Sequence, residues 1–157
     1  MMSSKVVLRT VVGLAVAAAP IILGVGSASA SATECVNYNI SDDTSRTNVC
    51  TYVNGSGTYV NYVNVEISDT DQAPATDDWF PTIGGCEVSV GWQNWDHSGN
   101  SPYNDWTSDL SCSSVKNAGG HSFSVYENVA AGTICGDLNF VTFNQFIGND
   151  GCVTIDS

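Results

Sequence analysis

The segment CEVSVGW, residues 86–92, decides the fold class because its side chains alternate between apolar and small or polar types. Cys86, Val88, Val90 and Trp92 fall on one side, and the residues between them are Glu, Ser and Gly. A period of two is the pattern of a β-strand that buries one face against a core. The segment is therefore predicted to be a strand, with Trp92 on its buried face.

Strand-like patterns recur on both sides of this segment, and none of them has the period of a helix. The longer ones cover residues 57–68, 121–129 and 138–147, and the shorter ones cover 35–40, 48–54 and 151–155. Turn sequences at 54–57 (NGSG) and 148–151 (GNDG) are expected to join neighbouring strands into hairpins. The sequence thus predicts an all-β fold, a small antiparallel β-sandwich of about seven strands, with a barrel as the alternative and no helix.

The chain begins with the features of a secretory signal peptide. Lys5 and Arg9 give a positive start, an apolar run follows, and small residues lead to cleavage sites after Ala30 or Ala32. The apolar run is shorter than the roughly 20 residues that a membrane-spanning helix needs. We therefore expect residues 1–30 to be removed, residues 31–157 to form one domain, and the protein to be secreted and extracellular.

The mature chain is strongly acidic. Two of the four basic residues lie in the signal peptide and all sixteen acidic residues lie beyond it, so residues 31–157 carry a formal charge of −14. Such a surface repels nucleic acid phosphates and anionic lipid. Nucleic acid partners and membrane insertion are therefore not expected, and the charge suits either solubility or a basic partner.

All six cysteines lie in the mature part, and an even number in an exported chain predicts three disulfides. They are Cys35, Cys50, Cys86, Cys112, Cys135 and Cys152. Six cysteines allow 15 pairings, and the sequence cannot select one. We expect neighbours to pair, which gives 35–50, 86–112 and 135–152. No spacing of Cys and His is typical of a zinc site.

The residues that could support catalysis are few. His97 and His121 are the only imidazoles, no G-x-S-x-G nucleophile motif is present, and the cysteines are expected in disulfides. Acidic residues such as Asp96, Asp105 and Asp109 could pair for glycoside cleavage, but among sixteen acids some proximity arises by chance. The sequence therefore predicts a protein without enzymatic activity.

An acidic loop is the one place where the sequence allows a cofactor. Residues 69–71 (DTD) and 77–78 (DD) place several oxygen ligands on one segment, and calcium favours such loops. No ordered calcium-binding spacing is present, so a solvated acidic loop is the preferred interpretation over a structural Ca²⁺ ion.

Aromatic residues in long polar segments are the candidate binding residues. Trp95, Tyr103 and Trp106 are interleaved with Asn and Asp, a chemistry suited to stacking on sugars or to a protein interface. Trp79 and Phe80 follow an acidic pair in the loop 68–85. That aromatic pair is expected either to plug one end of the sandwich, which we favour, or to serve as an exposed anchor.

Three binding functions fit these observations. The first is a protein-interaction subunit of a secreted assembly, and the second is a carbohydrate-binding module that uses the aromatics of 92–106. The third is a protease inhibitor that presents Lys116 or Arg46 on a loop close to a cysteine. Other secreted proteins, or glycans, are the expected partners.

The layout of export signal, six cysteines and β patterning resembles the small cysteine-rich secreted proteins of actinobacteria. Among these it is most similar to the small linking subunit of umbrella toxin particles. The resemblance implies a non-enzymatic adaptor that joins a large repeat-containing toxin polypeptide to a lectin-bearing subunit, in particles that act in interbacterial competition. It covers the chain as a whole and assigns no residue.

The start of the mature chain would suit such an adaptor. Ser31, Ala32 and Thr33, followed by Glu34, are small and polar residues that could enter a partner's groove or add to the edge of a sheet. The alternative, which we favour from sequence alone, is a frayed terminus.

Overall fold

The computed structural model describes residues 31–40, 46–69, 80–81 and 83–156, and its strands form two antiparallel sheets. The predicted signal peptide, 1–30, lies outside the described residues. In chain order the elements are β1 (Ala32–Asn39), β2 (Arg46–Ser56), β3 (Tyr59–Asp69), β4 (Glu87–Asp96), β5 (Tyr103–Trp106), β6 (Leu110–Ser111), α1 (Cys112–Ala118), β7 (Gly120–Asn128), β8 (Gly132–Phe140), β9 (Gln145–Ile147) and β10 (Cys152–Ile155). The all-β prediction is confirmed, with ten strands in the described part rather than about seven.

The first sheet has four strands in the order β1-β2-β3-β7. Its centre is the predicted hairpin, in which β2 and β3 pair from Thr47 to Ser56 and turn at Gly57 and Thr58. Gly57 has a φ of 57°, a left-handed conformation that glycine adopts without a steric penalty. The hairpin predicted from NGSG is therefore confirmed.

The second sheet has six strands within the described residues. Its path is β10-β8-β4-β5, with β6 beside β4 and β9 beside β8. The predicted strand 86–92 is the start of β4. The predicted strand 138–147 is wrong, because the chain reverses at 141–144 between β8 and β9, and Asn144 takes a φ of 49° in that turn.

The GNDG segment, residues 148–151, is not the hairpin turn that the sequence predicted. Both β9 and β10 lie along the same edge of β8: Ile147 pairs with Leu138, and Cys152 pairs with Cys135. Residues 148–151 of this segment thus lie opposite only two residues of β8, Gly136 and Asp137. The segment is therefore a bulge between β9 and β10, which both pair with the same edge of β8.

Residues from both sheets enclose one hydrophobic core. It contains valines of β2, β3 and β4 together with Trp92, which is 2% exposed, as predicted. Thr51 is buried between the sheets, where its hydroxyl donates to the carbonyl of Gly151 at 2.6 Å and accepts from the Gly136 amide at 2.8 Å. This hydroxyl satisfies backbone groups close to the bulge.

The three predicted disulfides are present with the predicted pairing. Cys35–Cys50 joins β1 to β2, Cys135–Cys152 joins β8 to β10, and Cys86–Cys112 joins the start of β4 to the start of α1. Disulfides of this kind are typical of proteins that fold in an oxidising compartment.

The short helix α1 contradicts the prediction of no helix. Ser111 caps its start, where its hydroxyl accepts a hydrogen bond from the Ser114 amide at 3.3 Å, and Gly119 ends it in the left-handed conformation. Only Cys112 and Val115 are buried, so two turns give no helical stripe in the sequence. The described helix is too short to span a bilayer.

Candidate functional site

The outer face of the six-stranded sheet carries two of the predicted binding residues. Along β4, the even-numbered residues from Val88 to Asn94 point into the core, and Ser89, Gly91, Gln93 and Trp95 take the opposite side. The row through Gly91 continues to Trp106 on β5 and to Asp137 on β8. Trp95 and Trp106 therefore share one face, as the carbohydrate and interface hypotheses required.

Two aromatic rings reach across the middle of this face. A methyl group at Gly91 would overlap the indole of Trp106, so this ring lies directly over the Gly91 backbone. Phe146 is on β9, two strands away from β5 across β8 and β4. Its ring nevertheless reaches over the same face, where its centroid is 6.2 Å from that of Trp106 and the rings are inclined by 49°. We call the surface defined by Trp95, Trp106 and Phe146 the aromatic face.

The bulge fixes the third ring of the aromatic face. The Trp95 indole Nε1 donates to Asn149 Oδ1 at 3.0 Å. The backbone amide of Asn149 in turn donates to Asp137 Oδ1 at 3.2 Å. The extra residues of the bulge thus connect an outer tryptophan to a carboxylate beneath the surface.

Asp137 is an unusual residue for the centre of a sheet face. It is 0% exposed, and its Oδ2 has no hydrogen-bond partner. Removal from water penalises the charged form and raises the pKa of Asp137 to about 7, which the hydrogen bond from Asn149 opposes only in part. Gly148 packs against this carboxylate so closely that a side chain there would overlap it.

Uncharged amide side chains surround the rings. Asn104, Asn139 and Asn149 are exposed, and Gln93 is half-buried in the row of Asn104. Further along the sheet, the Ser89 hydroxyl donates to Asp109 Oδ1 at 2.6 Å. The two lysine and arginine residues in the described part of the chain, Arg46 and Lys116, belong to β2 and α1, so neither is on a strand of this sheet.

Tyr103 does not belong to the aromatic face, contrary to the prediction that grouped it with the two tryptophans. It is three residues from Trp106 on the same short strand, and an odd spacing places two residues on opposite sides of a sheet. Tyr103 pairs with the buried Asn94 and packs against the core.

Phe80 is a core residue rather than a binding residue. It is 0% exposed, and its ring centroid lies 5.5 Å from that of Phe140. The plug interpretation is therefore confirmed for Phe80, while its neighbour Trp79 lies outside the described residues. Asp71, Asp77 and Asp78 of the acidic loop also lie outside them, and the calcium hypothesis remains a prediction. Elsewhere in the described ranges, no three His, Cys, Asp or Glu residues are grouped to hold a metal.

The acid–imidazole pair at 96–97 forms a turn. Asp96 Oδ1 accepts from the amides of Ser98 and Asn100, both at 2.8 Å, and the Asn100 side chain bonds the same carboxylate. These bonds, led by that from the Asn100 side chain, lower the pKa of Asp96. His97 is exposed beside it, and His121 stacks edge-on against Phe123 on β7.

The basic residues considered for protease inhibition lie in regular elements. Lys116 is half-buried in α1, and Arg46 is the first residue of β2, opposite Asn39 of β1. Neither side chain is presented on a loop in the described structure.

The second candidate surface is the edge formed by β1. Ala32 and Thr33 are paired with Val53 and Tyr52 of β2, so the favoured expectation of a frayed terminus is wrong. Ser31 precedes the strand, and its hydroxyl accepts from Nδ2 of the Asn54 side chain at 3.2 Å. Six of the eight residues of β1 are exposed, and no described strand pairs with its other edge.

The direction of the β1 backbone groups follows from one cross-strand distance. The Cα atoms of Cys35 and Cys50 are 4.0 Å apart, close to the roughly 4.5 Å of a non-hydrogen-bonded pair and below the roughly 5.5 Å of a bonded one. The amide and carbonyl of Cys35 therefore point away from β2, as do those of Thr33 and Asn37. The Asn39 carbonyl follows the same alternation and accepts from Gln145 Nε2 at 3.1 Å.

The other described edges are less suited to pairing. Strand β7 is the other edge of the four-stranded sheet. Its pairing with β3 has a register shift between Val60 and Tyr62 of β3, and Tyr126 of β7 takes a φ of 51°. The four residues of β5 form a short edge, and the bulge interrupts the line of β9 and β10. Irregular or short edges are how proteins avoid unwanted strand pairing, and β1 is long and regular by comparison.

Gly91 is expected to be essential for the position of Trp106. Gly91→Ala should lower the free energy of unfolding by about 1–3 kcal/mol, because the methyl group displaces the indole. Gly84→Ala is the matched control, since a methyl group there meets nothing within 4 Å. Urea unfolding followed by tryptophan fluorescence measures both, and equal stability of the two variants would contradict the packing described for Trp106.

No protein-family model, curated protein or solved structure matches this chain. The support for each candidate surface therefore comes from its geometry in this structure. The sequence pattern indicated two residues of the aromatic face, Trp95 and Trp106, but not Phe146, Asn149 or Asp137. The two glycines at 148 and 151 are the sequence signal that could have indicated them. Gly148 leaves room for the Asp137 carboxylate, and Gly151 leaves room for the neighbouring strands β1 and β2.

Proposed function

We propose that the protein is an exported, non-enzymatic adaptor subunit of an extracellular antibacterial toxin assembly, and that it holds a larger secreted chain by strand addition at β1. The observation that supports this proposal best is the open edge of β1, with the backbone groups of Thr33, Cys35 and Asn37 directed outward. An extended segment of a partner can hydrogen-bond to such an edge and lengthen the sheet.

The edge is prepared for a strand in two ways. Cys35–Cys50 and the full β2 pairing hold β1 in one register, so a partner meets an ordered template and little entropy is lost on the adaptor side. The side chains of Thr33 and Asn37 lie on the solvent face of the sheet and alternate with side chains on the core face. Every second side chain of β1 can therefore contact a side chain of the added strand.

Charge selects among partners. Glu34 is the single charged residue of β1, and the mature chain carries a formal charge of −14. A basic extended segment is attracted to this surface, and an acidic one is repelled. The predicted signal peptide at 1–30 and the three disulfides both fit the exported location that such an assembly requires.

Proline substitutions at the edge test the proposal. Asn37→Pro removes an amide that points away from β2, so the β1–β2 ladder stays intact and the variant folds. Tagged protein captured from the culture supernatant of the source organism should bring down a stoichiometric larger chain, identified by mass spectrometry. Asn37→Pro should reduce the captured chain about tenfold or more, because a main-chain bond is lost and the ring blocks close approach.

Asn37→Ser is the matched control, because it changes the side chain and keeps the backbone amide. It should retain the partner at close to the parent level. Recovery of the parent as a lone monomer contradicts the adaptor proposal. Capture that Asn37→Pro leaves unchanged contradicts strand addition at β1.

A further inference from the structure

We propose that the aromatic face is a carbohydrate site, and that its ligand is a neutral sugar chain. This inference goes beyond the adaptor function and does not depend on it, because the aromatic face lies on the six-stranded sheet and the β1 edge belongs to the four-stranded sheet.

The rings provide the stacking surface. Phe146 is 46% exposed, and Trp106 is half-buried beside it, with the ring planes inclined by 49°. The faces of aromatic rings carry partial negative charge, and the C–H groups on one side of a pyranose ring carry partial positive charge. Two inclined rings 6.2 Å apart can therefore contact adjacent parts of one sugar chain.

The polar groups next to the rings match hydroxyl groups. A sugar hydroxyl both donates and accepts hydrogen bonds, and an amide side chain offers both functions at once. Asn104, Asn139 and Asn149 are exposed around the rings, on β5, on β8 and in the bulge. The hydroxyl groups of a sugar can satisfy these amides, whereas a purely apolar partner surface would bury them without hydrogen bonds.

Charge restricts the ligand to neutral sugars. The described lysine and arginine are on none of this sheet's strands, whereas Asp109, which accepts from the outer Ser89 hydroxyl, lies on this face. Sulfated or uronic sugars need cationic partners, which the described strands of this sheet do not supply.

The two tryptophans of the site are held in place before any ligand binds. Gly91 allows Trp106 to lie flat on the sheet, and Asn149 holds Trp95 through its indole nitrogen. Side chains that are already fixed lose little conformational freedom on binding, so weak stacking and hydrogen bonds yield measurable affinity.

Binding to defined glycans tests the inference. The purified parent is titrated with chitohexaose, cellohexaose and mannohexaose by calorimetry and sedimented with chitin, cellulose and mannan, and heparin serves as the anionic probe. At least one neutral glycan should bind. Phe146→Ala, at an exposed position, should weaken that binding about tenfold or more, because stacking on an aromatic ring contributes a large share of such weak affinities.

Tyr126→Ala is the matched control, because Tyr126 is 67% exposed on the other sheet and its loss should leave glycan binding unchanged. Trp106→Ala should abolish binding, and circular dichroism confirms that each variant folds. Three results overturn the inference: no neutral glycan binds, binding survives Phe146→Ala unchanged, or the parent is a dimer that Phe146→Ala converts to a monomer.

Discussion

Asp137→Asn is expected to stabilise the protein at pH 8 by up to about 4 kcal/mol and to leave its stability at pH 4 nearly unchanged. Asp137 is fully buried with one unpartnered carboxylate oxygen, and its pKa is raised to about 7. Each unit between this value and about 3.9 for an unfolded aspartate corresponds to roughly 1.4 kcal/mol. Asparagine stays neutral throughout, so it removes the cost of burying a charge.

The sign of the pH dependence follows from proton binding. Between pH 4 and pH 7 the folded state keeps the Asp137 proton, and the unfolded state has already lost it. The folded protein therefore binds more protons in this window, and its free energy of unfolding falls as the pH rises. Below pH 4 both states are protonated at this residue, and above pH 7 both are ionised, so the contribution is constant outside the window.

Urea unfolding at pH 4, 5, 6, 7 and 8 measures the effect. The difference between Asp137→Asn and the parent should grow steadily between pH 4 and pH 7 and then level off. Asp156→Asn, at an exposed position after β10, is the control and should stay within about 0.5 kcal/mol of the parent at each pH. Parallel curves for the parent and Asp137→Asn would show that Asp137 is not buried as described.

Phe80→Ala is expected to lower the free energy of unfolding by about 3–5 kcal/mol. Phe80 is 0% exposed, and its ring packs against Phe140, which in turn lies 5.9 Å from Phe143. Alanine leaves a cavity in this aromatic cluster that the surrounding strands cannot fill without moving. The loss is large for a segment that the sequence shows only as part of a long polar loop.

Ile83→Ala is the matched control, because Ile83 is three residues away in the same segment and 54% exposed. Its effect should stay within about 0.5 kcal/mol. Thermal and urea unfolding of both variants measures the difference. If Phe80→Ala proves no more destabilising than Ile83→Ala, Phe80 does not plug the sandwich.

The strands and the cystine pairing could be predicted because both are local properties. Alternation in 86–92 gave β4, NGSG gave the β2–β3 hairpin, and each pair of neighbouring cysteines proved to be a disulfide. The break in 138–147 was missed because apolar residues there occupy both faces, so the pattern does not show where the chain reverses.

The candidate site was predicted only in part, since it depends on register between strands. Trp92 and Trp95 are an odd number of residues apart on β4, which is enough to place them on opposite faces. The pairing of Gly91 with Trp106 and the approach of Phe146 from β9 depend on the conformations of the connecting loops. These conformations set the register between strands and cannot be derived from the sequence pattern. Asp137 resembles any other acidic residue in the sequence, because its burial results from Gly148 and the bulge.

The two proposed binding surfaces belong to different sheets. A strand added at β1 extends the four-stranded sheet at its edge and leaves the outer face of the six-stranded sheet uncovered. An adaptor with this arrangement could hold a larger chain and contact a glycan at the same time, and linked contacts of this kind raise the overall affinity.

Hydrogen exchange of β1, in the assembly captured from the supernatant and in the isolated protein, tests the adaptor account most directly. In the isolated protein the outward amides of Thr33, Cys35 and Asn37 should exchange quickly, because no described strand pairs with them. In the assembly we predict that the same three amides exchange at least about tenfold more slowly. Unchanged exchange of these amides in an assembly that contains the larger chain would contradict strand addition at β1.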